Sequence, residues 1–63
     1  MDESERELLK RALNVLHNAR VEIEVVREHL IDLGHDCMSG RCFVASTSIE
    51  AVINTISKLL GDC

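Results

Sequence analysis

The sequence predicts an all-α fold: a helical hairpin with a long first helix and a short second helix, dimerising into a four-helix arrangement. Three observations lead there. Leu9, Ala12, Leu16, Ala19, Ile23, Val26, Leu30 and Leu33 alternate by three and four residues without a break. That spacing keeps one stripe on one side of an α-helix, and such a stripe is normally covered by another helix. Ile49, Val52, Ile53, Ile56, Leu59 and Leu60 repeat the pattern over a shorter stretch. Proline is absent, and two of the three glycines, Gly34 and Gly61, fall just beyond these stripes, where helices end.

The first helix is expected over about residues 4–33. Asp2 with Glu5 and Ser4 with Glu7 are overlapping capping boxes, in which a side-chain oxygen takes a free backbone N–H and the glutamate reaches back. At 1.5 Å per residue the rod is roughly 45 Å long. Leu8, Leu13, Val15 and Ile31 widen the apolar arc beyond a two-helix seam, so more than one neighbour is implied. Ala12 and Ala19 leave little bulk in the N-terminal half, which allows close approach of a partner helix there.

The second helix is expected over about residues 48–60, opened by Thr47 with Glu50 three residues on. Its rod of roughly 20 Å covers less than half of the first helix. The N-terminal half of the first helix is thereby left to a second subunit, with Leu9, Ala12, Leu16, Ala19 and Ile23 as the dimer interface. Residues 34–46 form the connection, with Met38, Phe43 and Val44 as anchors under the hairpin and 41–45 as a short extended strand.

With 63 residues the chain is a single helical domain, 1–63, too small to bury an ample core alone. Its 46% hydrophobic content excludes a disordered tail, while the charges break every run long enough to span a membrane. No membrane partner is expected. Residues Met1–Glu5 are acidic where a secretory signal needs bases, so a cytoplasmic location is expected. The net charge of −4, with bases scattered among acids and Phe43 as the lone aromatic, argues against nucleic acid as a partner.

The densest chemistry lies in His35, Cys37 and Cys42, for which His29 is the nearest fourth ligand. This set follows no standard zinc spacing, and Cys63 stands too far along to close it. Two small thiols in the connection are the reading preferred over a metal site or a disulfide, so no metal and no cofactor is expected. A lone His–Cys adjacency without a pocket or an orienting group does not make an enzyme.

Val21 and Val25, beside Glu24 and Glu28, form a small apolar contact ringed by acids that suits a basic groove on another protein. The expected function is therefore protein–protein binding. The chain reads as a small acidic homodimer that regulates, inhibits or adapts a larger partner, of the kind compact bacterial or phage genomes encode. The competing class is a thiol- or metal-responsive sensor built on His29, His35, Cys37 and Cys42.

Overall fold

The computed structural model describes residues 2–61; the terminal Cys63 considered above lies outside them. Two antiparallel helices make the molecule, α1 over Glu3–Asp32 and α2 over Asp36–Gly61, within 47 × 15 × 11 Å. No strand occurs among the described residues. The N-cap of α1 is Asp2, whose Oδ1 accepts from the Glu5 N–H at 2.8 Å. Ser4 lies inside the helix, so one of the two capping boxes supplies the cap.

The turn is built by Leu33, Gly34 and His35. The Gly34 N–H donates to the Ile31 carbonyl at 3.0 Å and the His35 N–H to the Leu30 carbonyl at 2.8 Å, the paired bonds of a Schellman cap. Gly34 sits at φ +83°, where a side chain would be strained. The His35 carbonyl accepts from the Ser39 N–H at 3.0 Å, so α2 begins at once.

The connection expected over 34–46 is thus helical from Asp36 onward. Thr47 does not open a helix: its Oγ1 donates to the Phe43 carbonyl at 3.0 Å, the back-bond of a threonine within a helix. The expected strand over 41–45 is one turn of α2, and the expected anchors Met38, Phe43 and Val44 are exposed. The physical reason is a seam of small residues. Ser39, Cys42 and Ser46 continue the spacing of Ile49, Ile53, Ile56 and Leu60 back to the turn, and all seven are buried or half-buried. Ser39 and Ser46 pack as small side chains, and the Ser39 hydroxyl is satisfied by the Asp36 carbonyl at 2.9 Å.

With 26 residues, α2 runs along most of α1 instead of its C-terminal half. The face of α1 turned towards it is Leu9, Leu13, Leu16, Arg20, Ile23, Arg27 and Leu30, all half-buried. This seam shares Leu9, Leu16, Ile23 and Leu30 with the sequence stripe but takes Leu13, Arg20 and Arg27 in place of Ala12, Ala19, Val26 and Leu33. The two arginines serve because their aliphatic stems cover apolar surface. Arg20 Nε is shut from solvent without a hydrogen-bond partner. Ile53, at 6% exposure, is the one buried large apolar side chain among the described residues, and none is wholly shut from solvent.

Candidate functional site

The hairpin has two unlike flanks. One is polar and tied together. Glu24 accepts from Arg27 Nη1 at 3.2 Å and from the Ser46 hydroxyl across the helix pair. The Arg27 guanidinium lies 5.3 Å from the centre of the Phe43 ring, within cation–π range. The Ser46 bond, followed by Arg27 and the nearby charge of Arg20, holds the Glu24 carboxyl below its ordinary range, against a slight loss of solvent.

These contacts fix which sides of the two helices coincide. Glu24 directly follows the seam residue Ile23, and Phe43 directly follows the seam residue Cys42. Residues after seam positions therefore meet on one flank, and residues before them emerge on the other. On α1 those preceding residues include Leu8, Ala12, Val15, Ala19 and Val26, continued by Leu33 in the turn; on α2 they include Met38, Ala45, Val52 and Leu59.

This second flank is largely apolar, although Glu22 and His29 on α1 and Arg41, Ser48 and Thr55 on α2 also precede seam residues and share it. Seven of the twelve large hydrophobic side chains exposed among the described residues lie on it: Leu8, Val15, Val26, Leu33, Met38, Val52 and Leu59. Val15 is 66% exposed and Leu33 71%. Exposed apolar side chains scattered singly are ordinary, but seven gathered along one side of both helices mark an interaction surface. Near the N-terminus of α1, a depression open to solvent is lined by Glu3, Ser4, Glu7, Leu8 and Arg11, chiefly on the side of the helix turned from α2.

The sequence-derived sites are redistributed by this geometry. Of the expected dimer interface, Leu9, Leu16 and Ile23 face α2 within the same chain, because α2 reaches them; Ala12 and Ala19 border the apolar flank. Of the expected partner patch, Val25 is exposed on the side of α1 turned from α2, Val21 and Glu28 are exposed at the outer edge of the polar flank beside it, and Glu24 points into that flank. Val52 and Leu59, placed with the second helix's buried stripe by sequence, are on the apolar flank at about half exposure.

His29, His35, Cys37 and Cys42 are not assembled into a site. Cys37 and Cys42 are free thiols five residues apart on one helix, which at 3.6 residues per turn turns them to different sides. Among the described residues no group of three or more His, Cys, Asp or Glu side chains is placed to hold a metal. No helix of the described residues is long and apolar enough to cross a membrane. Comparison with protein-family models, curated proteins and solved structures finds no match for this chain.

Proposed function

We propose that this chain acts by binding proteins: itself, as a homodimer, and then a larger protein that it regulates, inhibits or adapts. The carrying observation is the apolar flank. It supports self-association because the hairpin alone is short of burial. The chain exposes 4775 Å², whereas a compact monomer of its size exposes roughly 4,100 Å². The excess of about 700 Å² is close to the roughly 800 Å² that each partner contributes to a standard interface. Closing that flank against a second copy gives each protomer the core that Ile53 alone does not supply.

The side of α1 away from the apolar flank, with Val21, Val25 and Glu28, stays open in such a dimer. It is the surface offered to the larger partner, and its valines beside an acid fit a basic, partly apolar groove. Reversing Glu28 to Lys should slow association with that partner at low salt and leave the dimer unchanged.

The dimer is tested by sedimentation equilibrium of the full chain and of Val15→Glu. Val15 is largely exposed in the hairpin, so a charge there spares the single chain and is buried only on association. The expected result is a dimer at micromolar concentration for the unmodified chain, and a helical monomer for the variant. A monomeric unmodified chain, or a variant that dimerises equally well, overturns the proposal.

A further inference from the structure

The apolar flank has a pattern that takes both helices to build. The contacts of Glu24 with Ser46 and of Arg27 with Phe43 fix the register of the hairpin, so that one step back along α1 matches one step forward along α2. On the apolar flank the same register lays out rungs: Leu33 beside Met38 at the turn, then Val26 beside Ala45, Ala19 beside Val52 and Ala12 beside Leu59. Beyond the turn, every rung pairs an alanine with a larger side chain. The larger one stands on α1 in the rung nearest the turn and on α2 in the rungs farther out. Each rung is thus a bump beside a hollow, and its complement is the same rung turned through half a circle.

Taking the flank as the self-association surface proposed above, we infer that the two hairpins stack with their turns at the same end, α1 of each copy lying antiparallel on α2 of the other. The two-fold axis runs parallel to the helices, so every rung meets its own counterpart. Val26 then lies on Ala45 of the second copy, Ala19 on Val52 and Ala12 on Leu59. Small meets large along the band, as in a close-packed core. At the turn, the widely exposed Leu33 is covered by Met38 of the second copy, a flexible thioether side chain that fits itself to its neighbour. The polar residues of the flank stand on its outer rims, where the same operation sets Glu22 beside the Ser48 hydroxyl and His29 beside Arg41 of the second copy. A carboxylate accepts from a hydroxyl and an imidazole nitrogen from a guanidinium, with solvent on the open side. The interface is isologous and closes at two copies as a four-helix bundle.

Reversing one copy, with the turns at opposite ends and α1 on α1, breaks these matches. Centred on Ala19, it sets Leu33 against Glu5 and Val15 against Glu22 of the second copy. Slid one heptad towards the turn, it returns an apolar partner to Leu33 but sets Glu22 against its own counterpart and carries Leu8 past the end of the second copy. Like charges in contact oppose that register.

Two measurements on the full chain test the arrangement. Ser4 is exposed in the first turn of α1, and Ser4→Cys in a chain with Cys37→Ser, Cys42→Ser and Cys63→Ser carries a single spin label there. The same-end stack separates the two labels by about 30 Å, whereas either reversed stack holds them about 45 Å or more apart. In the second experiment, Ala12→Leu sets bulk against Leu59 of the second copy and should weaken the dimer by about tenfold or more. Adding Leu59→Ala should restore it. Adding Val26→Ala should not, because Val26 meets Ala12 of the second copy only when one hairpin is reversed. A long label separation, an Ala12→Leu chain that dimerises as before, or a weakened dimer that Leu59→Ala does not rescue overturns the same-end stack and leaves self-association standing. A chain that stays monomeric overturns the underlying reading.

Discussion

Gly40 and Gly34 should respond to the same substitution with opposite signs. Gly40 lies in the first half of α2, and a β-carbon added there meets nothing within 4 Å. Alanine at 40 therefore brings no clash and no new contact, and its effect is the difference in helix propensity, a stabilisation of about 1 kcal/mol. Gly34 also has open space around it, but its φ of +83° is a conformation that L side chains rarely adopt. Alanine there should cost about 1–2 kcal/mol through the backbone alone. Urea denaturation followed by far-UV circular dichroism reads both. With a slope of about 1 kcal/mol per molar for a domain this small, the midpoint should rise by up to about 1 M for Gly40→Ala and fall by at least as much for Gly34→Ala. All variants must be compared at one protein concentration, because self-association adds to apparent stability. A midpoint unchanged or lowered by Gly40→Ala would show that α2 does not run through residue 40, and the reasoning from the small-residue seam would fall with it.

Glu24 should titrate below its ordinary value near 4.5 by NMR, and Ser46→Ala should move it back towards that value, since the Ser46 hydroxyl is the chief cause of the depression. Because the folded carboxyl is the more acidic, its contribution is present above the unfolded value and fades as pH falls through the lower folded one; Glu24→Gln should flatten that acid limb of the stability curve. Serine at both Cys37 and Cys42 should leave helicity and association intact, and a chelator should change neither, since a structural metal would contribute folding energy outright. Loss of helix in either experiment would move the sensor reading ahead of the binding one.

What the sequence made legible follows side-chain chemistry. Asp2 and Gly34 at the ends of α1 were readable because a capping oxygen and a left-handed glycine have few other uses in those positions. The run from Ile49 to Leu60 was readable because its face is aliphatic. The first half of α2 was not, because Ser39, Cys42 and Ser46 hold the seam by being small, a property that hydrophobic periodicity does not register. Thr47 with Glu50 then imitated a helix start that the chain does not use. On α1 the pattern was real but double: one row of leucines and isoleucine serves the hairpin, while the alanine row beside it edges the exposed flank. Only the length of α2 separates the two assignments. Arg20 and Arg27, counted as surface charges, are seam residues by virtue of their stems.

The small-residue half of that seam sits beside the turn, and the aliphatic half sits at the far end. Three residues join the helices, so the segments nearest the turn are held at very high effective concentration and lose little further freedom on docking. Serine and cysteine contacts suffice there. With distance from the turn that tethering weakens, and the isoleucines and Leu60 supply the burial that keeps the open end shut. A longer connection would therefore loosen the serine end most, and a variant with several flexible residues inserted at Gly34 should lose amide protection around Ser39 before it does so around Ile53.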